Sequence, residues 1–296
     1  MTFQFYTWNG YQCAYKVNQA NSEQPAILLI HPIGVGLSGV FWERFITTWR
    51  KYNHLGTIYN PDLLGCGASD KPRIAYYPED WAEQIAYFLV NFVKKPVFVL
   101  VQGALFPVAI ALSQYPSAAE YIKGFVLSGP PAWRIMSQAG KPLQQKLLWN
   151  LLFDSPLGTL FYRYARRRQF LQSFSVRQLF AKAEEVDANW LNFLEVGAQD
   201  LATRYAVFAF LAGFWRKDYT EAIQGISQPT LAVFGKQASS ISKSGIAETP
   251  SERVELYQKY LPRGEACIIP GRNVLPYENP PDFVQVTADF MGRRES

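Results

Sequence analysis

Histidine is almost missing from this chain. Only His31 and His54 occur in 296 residues, so chemistry that runs on an imidazole base has two places to look. Cysteine is equally thin. Cys13, Cys66 and Cys267 are odd in number and far apart, which argues against both a disulfide framework and a zinc site. Long hydrophobic runs are missing too: the longest, Ala206 to Trp215, is about half of what a bilayer-spanning helix needs. The opening residues MTFQFYTWNG lack the basic start and apolar stretch of a signal peptide. There is no repeat and no low-complexity tract. With 49% hydrophobic and 18% charged residues, the composition excludes a disordered chain. These absences lead to the expectation of a soluble cytoplasmic protein with no metal site and no cofactor.

Charge of one sign is scarce as well, the net value being +5. Residues Ala132 to Gly225 hold 12 Lys/Arg and 8 Asp/Glu, so that stretch supplies most of the excess. A local basic excess attracts a membrane surface or nucleic acid, and it equally describes an ordinary solvated face. No nucleic-acid motif accompanies it, so nucleic acid is not expected as a partner.

What is present is a regular alternation. Phe3 to Thr7 and Tyr11 to Val17 flank Asn9-Gly10, a hairpin signal. Ala26 to Ile30 is a continuous apolar run, as in a strand buried on both faces. Phe41, Phe45, Ile46 and Trp49 recur at helical spacing. Further strands are expected at Thr57 to Tyr59, Val97 to Val101 and Gly124 to Leu127, with helices at Trp81 to Phe92 and from Pro107. Strand and helix in alternation predict a parallel sheet covered on both faces. The pattern breaks at Gly129-Pro130-Pro131, turns helical to about Gly225, and resumes at Thr230 to Phe234. A helix at Glu252 to Tyr260, a strand at Ala266 to Ile269 and a helix at Pro281 to Met291 complete the expected order. The organisation expected is one α/β core, 1–130 and 226–296, with a helical insertion at 131–225.

Three segments resemble the α/β-hydrolase fold. Ile30-His-Pro-Ile-Gly34 is similar to the loop that supplies an oxyanion-hole amide. Asp62 to Asp70 resembles the glycine-rich loop after the fourth strand, and Gly271 to Pro280 the segment that carries the catalytic histidine. The chain looks close to a cyanobacterial and plastid α/β-hydrolase-like group. The resemblance implies a mostly parallel central sheet with helices on both faces and an inserted helical cap. It also implies a nucleophile, an acid and a histidine, and this sequence offers none of the three at the matching places. After Val101 it reads Gln102-Gly-Ala-Leu-Phe106, so Ala104 takes the serine position while Gln102 and Phe106 replace glycines. Sliding by one makes Gly103 the first glycine and Leu105 the nucleophile position, again without a nucleophile. Gly235-Lys-Gln-Ala238 has Ala238 where the acid would stand, and Asn273 holds the histidine place. An asparagine cannot shuttle a proton near neutral pH. The resemblance assigns His31 to the oxyanion loop. His54 is expected on an exposed helix-to-strand connection.

Other candidates have plain explanations. Cys66 in its glycine loop has no base identifiable in sequence to lower its pKa, and a packed small residue suffices. The loop lacks the Gly-Lys-Ser/Thr ending of a phosphate loop. Asp80 near a helix start suits the helix dipole.

In the insertion, Asp154-Ser-Pro156 signals a helix start. The helix expected over Leu157 to Phe170 carries Arg163, Arg166, Arg167 and Arg168 interleaved with Phe161, Tyr162 and Tyr164. One reading packs its apolar side and leaves the arginines in solvent. The other makes it a docking surface for anionic headgroups or an acidic partner. The sequence thus points to a fold of hydrolases without its triad, working by binding an apolar small molecule, a membrane surface or a protein partner. A small-molecule pocket is expected at His31, Ile33, Gly34, Gly103 and Leu105. The alternative is an enzyme using the same crevice with unconventional residues. Chemical probes of serine and cysteine separate the two.

Overall fold

A computed structural model describes residues 2–20, 24–241, 245 and 247–294. Eight strands form one sheet: β1 (Gln4–Trp8), β2 (Tyr11–Asn18), β3 (Ala26–Ile30), β4 (Ile58–Pro61), β5 (Val97–Gln102), β6 (Ile122–Ser128), β7 (Thr230–Gly235) and β8 (Gly264–Ile269). Their spatial order is β1-β2-β4-β3-β5-β6-β7-β8. β2 runs antiparallel to both of its neighbours, and the pairs from β4 to β8 are parallel. The β1–β2 hairpin closes at Asn9-Gly10, both at positive φ, in the register Trp8↔Tyr11.

The apolar run at β3 explains its central place, since all five residues are buried. Leu28 and Ile30 face one core with Trp81, Phe88 and Tyr257. Ile27 and Leu29 face the other with Phe41, Phe45 and Phe283. The helices of the core are α1 (Glu43–Lys51), α2 (Pro78–Phe88), α3 (Phe106–Ser113) and the short α4 (Pro116–Ala119). The connection from β6 to β7 is helical throughout: α5 (Trp133–Met136), α6 (Pro142–Leu148), α7 (Pro156–Ala165), α8 (Arg168–Phe174), α9 (Ala188–Gly197), α10 (Arg204–Ala212) and α11 (Thr220–Gln224). α12 (Pro250–Tyr260), α13 (Leu275–Glu278) and α14 (Pro280–Gly292) follow.

The helix expected over Leu157 to Phe170 is two helices. Ser155 caps α7, its hydroxyl accepting from the Leu157 amide at 3.2 Å, but Arg167 is extended and ends the run. The break frees Arg166 to donate to the carbonyls of Ala198 and Gln199 beyond the end of α9. The apolar stretch from Ala206 lies in α10, which Gly213 terminates at φ +84°. The core and the helical connection share their packing: Trp190 and Leu194 of α9 join the Phe41 side, and Phe208 of α10 joins the Trp81 side.

Candidate functional site

In open α/β sheets ligands bind beyond the carboxyl ends of the strands. Here that end gathers the loop after β3, the turn after β5, Gly129 after β6, and the loops after β7 and β8. Asn273 meets there the last residue of β5 and the loop after β7. The side chain of Gln102, last in β5, donates from Nε2 to the Asn273 carbonyl at 2.7 Å. Asn273 in turn donates from Nδ2 to the carbonyls of Ser239, at 3.0 Å, and Gln178, at 2.7 Å. Its backbone amide donates to the Leu179 carbonyl at 3.0 Å. Arg272 donates to the Ser239 hydroxyl at 2.8 and 3.0 Å. Ala238, nearly buried, donates its amide to the Gly235 carbonyl. A seam of amides and carbonyls therefore joins the loop after β7 and the segment after β8 to the end of β5. Two atoms beside it have no partner among the described residues: Gln102 Oε1 and Ser128 Oγ, at paired positions of β5 and β6.

In the turn after β5 the left-handed residue is Gly103, at φ +63°. Ala104 already lies in a 3-10 turn, Gly103–Leu105. A Cβ on Gly103 would meet nothing within 4 Å, so glycine serves the backbone there and not the packing. Leu105 is fully buried in the core. Ile33, Gly34 and Gly103 keep partial exposure, whereas His31 is enclosed. The expected group of five thus does not form one lining: His31 and Leu105 offer a ligand no surface.

His31 is committed at both ring nitrogens. Nε2 accepts from the Leu63 amide at 3.1 Å, which leaves the proton on Nδ1, 2.8 Å from the Pro32 carbonyl. Burial pushes its pKa below the ordinary imidazole value, and the charge of Asp62 opposes this. Asp62 is tied by the amides of Gly39 and Ala68, each at 2.8 Å. This cluster holds the loops after β3 and β4 together. His54 is only half exposed, because its ring packs 4.5 Å from that of Trp49. Cys66 is buried, and burial drives its thiol well above the ordinary range. It has no nucleophilic character there. Asp80 accepts from the Tyr77 amide and caps α2. No group of three or more His, Cys, Asp or Glu that could hold a metal occurs among the described residues.

The helical connection is seated directly on this end of the sheet. Gly36, at φ +77°, leaves so little room that a Cβ would fall 2.0 Å from the Leu194 carbonyl oxygen of α9. Glu278 accepts from the amides of Arg272 at 2.7 Å and Ala181 at 2.5 Å. Burial pushes its carboxyl up to about 7 against the pull of those two amides, and the facing Glu185 adds to the rise. Arg44 of α1 pairs with Asp187 and lies over the Tyr277 ring at 3.9 Å. Asp187 also accepts from the Trp190 amide at 2.8 Å, capping α9. Its burial would raise its pKa, but the Trp190 amide, Arg44 and Tyr277 together hold it low. Within the segment Gly271 to Pro280, Glu278 carries no sequence signal of its own. Nothing local signals that it joins two loops far apart in the chain.

Of the four candidate arginines, two are engaged. Arg166 binds the carbonyls beyond α9, and Arg168 binds Asn192 and Glu195. Arg167 is exposed beside the Tyr164 ring, and Arg163 is exposed with no partner among the described residues. Arg163 borders an open recess of about 490 Å³ with Arg73, Arg204, Asp154, Leu160 and Tyr205. A second recess of about 370 Å³ lies at Gln19, Thr57, Tyr59 and Lys95. Neither is lined by the residues beyond the strand ends.

Comparison with known proteins fits this geometry. The model of the alpha/beta hydrolase family matches residues 27–286. An uncharacterized protein of Mycobacterium tuberculosis is 42% identical over 75 residues, 25% of this chain and 20% of that protein. The match therefore spans about a fifth of the length of that curated relative. A thermophilic esterase from Thermogutta terrifontis superposes with a TM-score of 0.72 at 16% identity, covering 100% of both chains. The enol-lactonase from Burkholderia xenovorans gives 0.71 at 16% identity, covering 98% of this chain and 100% of that one. A bromoperoxidase from Bacillus anthracis gives 0.73 at 15% identity, covering 98% and 100%. Identities this low carry the fold alone.

Proposed function

The chain belongs to the alpha/beta hydrolase family, and from that premise we propose that it is a member without a triad that acts by binding, not by hydrolysis. The observation that carries this reading is the state of Asn273. In the place of the general base stands a side chain that cannot accept a catalytic proton. Its amide is spent on the carbonyls of Gln178 and Ser239. Ala104 and Ala238 bring neither nucleophile nor acid, and His31 has no free nitrogen. A likeness to a cyanobacterial and plastid group belongs to the same reading, on the motifs alone.

The close seating of α9 on Gly36 favours a binding surface outside the crevice over an apolar ligand within it. The test is chemical. Purified protein should show no labelling by a fluorophosphonate or by iodoacetamide under native conditions, and no turnover of a panel of simple esters above the heat-treated control. Saturable hydrolysis abolished by one point substitution would establish the contrary, an enzyme with unconventional residues. Restoring the triad letters by Ala104→Ser, Ala238→Asp and Asn273→His should also fail. The left-handed residue is Gly103, one place off, and misplacement by about 1 Å costs about 100-fold in rate.

A further inference from the structure

We propose that the outer face of α6 and α7, with the π-helical turn between them, docks on an anionic lipid bilayer. α6 buries none of its residues. Its apolar side chains continue into the π-helical turn as one stripe: Leu143 is 84% exposed, and Leu147 and Leu151, four and eight residues on, are 60% and 65% exposed. α7 repeats the pattern with Leu157, Leu160 and Phe161 outward, while Gly158, Tyr162 and Ala165 face the protein. Singly exposed leucines need no explanation, but two successive segments turning their apolar side to water do.

The charge of the same stretch selects the occupant. Residues 141–168 contain six Lys/Arg and one acidic residue, Asp154, while the rest of the chain holds 23 of each sign. Of the six, Lys141, Lys146, Arg163 and Arg167 have no ion-pair partner among the described residues, so the surface that exposes the leucines stays basic. Asp154 is already paired with Arg73. A second copy of the chain would bring like charge against like charge. An anionic bilayer offers both an apolar interior for the leucines and headgroups for the free guanidinium groups. Arg163 borders the 490 Å³ recess, and Arg204 within it has a buried Nε without partner among the described residues. No helix of the described chain is long and apolar enough to cross a membrane, so this segment lies on the surface. Arg166 and Arg168, held by α9, position α8 and do not reach lipid.

The inference deepens the binding reading above and rests on it. Vesicle binding is nevertheless read without substrate, so esterase activity in the earlier assay would overturn that reading and leave the vesicle result standing. The experiment is co-sedimentation of the full chain with phosphatidylcholine vesicles and with vesicles containing phosphatidylglycerol, at low and high salt. Binding is expected to the phosphatidylglycerol vesicles and to weaken with salt. Arg163→Gln with Arg167→Gln should lower the affinity by about 30-fold. Leu147→Gln with Leu151→Gln should lower it by about 10-fold or more, with melting temperature unchanged, because neither side chain supports the fold. Arg166→Gln with Arg168→Gln should lower the melting temperature and leave the affinity within a few-fold. No binding to either vesicle, equal binding to both, or an affinity indifferent to the leucines would overturn the proposal. Capture by an acidic peptide without vesicle binding would assign the surface to a protein partner and overturn it too.

Discussion

Two regions of this molecule have exchanged the character that the fold leads one to expect. The carboxyl end of the sheet is where α/β proteins keep open, polar, reactive ground. Here most of its polar groups serve one another: Gln102 holds Asn273, Asn273 holds Gln178 and Ser239, and Glu278 holds Arg272 and Ala181. The outer face of the helical connection, usually a solvated flank, instead carries exposed leucines and basic side chains. The contrast teaches that polar groups at the strand ends can serve as fastenings for the cap, while apolar side chains gather on the cap's outer face.

The comparison breaks most directly at the seam where the cap meets the sheet. Gly36→Ala puts a Cβ at 2.0 Å from the Leu194 carbonyl oxygen and in a left-handed backbone at once. Neither neighbour is the end of a flexible side chain, so backbone must move. The expected loss is about 3 to 5 kcal/mol of stability, read by urea denaturation. An unchanged midpoint would mean that α9 rests loosely on the loop after β3. Asn273→Ala comes next. It removes an amide that satisfies two carbonyls, with an expected cost of about 2 to 3 kcal/mol. Asn273→His should cost nearly as much, since an imidazole cannot donate two bonds from one atom in that geometry.

A weaker break is set by pH. Glu278 holds its proton up to about 7 in the folded protein, against an ordinary value of 4.5. Between those values the folded chain binds the proton more tightly than the unfolded one. Its contribution is therefore fully present below about 4.5 and lost as pH rises through 7. His31 and His54, both lowered by burial, act with the opposite sign, their contribution being lost as pH falls below the ordinary imidazole value. The difference between wild type and Glu278→Gln isolates the carboxyl. Denaturation midpoints from pH 5 to 8 should fall more steeply in the wild type than in the variant. Parallel curves would show that burial does not hold the proton on Glu278 in the folded chain.

Much of the sheet was legible because its strands announce themselves locally. Ala26 to Ile30 reads as a doubly buried strand from composition alone, and Asn9-Gly10 fixes the hairpin register from two residues. That Ala104, Ala238 and Asn273 stand at the places the resemblance assigns was legible as letters. The bonds around them were not. The bond from Gln102 to Asn273 spans 171 residues, and no periodicity encodes a contact at that separation. The backbone of the turn after β5 was hidden too, because the spacing admits two registers and only the structure shows Gly103 in the left-handed place. The division of the basic helix at Arg167 escaped notice for a related reason. Arg166 to Arg168 are good helix formers, and nothing local marks Arg167 as the residue that turns extended between α7 and α8.

Removing apolar side chains from α6 is expected to change stability least. Leu143→Gln with Leu147→Gln removes two apolar side chains from α6, a helix with no buried residue. Surface substitutions away from special features change stability by no more than about 0.5 kcal/mol. The urea midpoint should therefore stay put, where two core leucines would have cost several kilocalories per mole. Solubility at high protein concentration should rise, because the variant no longer presents an apolar stripe to water. A clear loss of stability would mean that α6 packs against the rest of the cap more closely than its exposure shows. The leucines would then be structural, and the two regions would no longer stand in contrast.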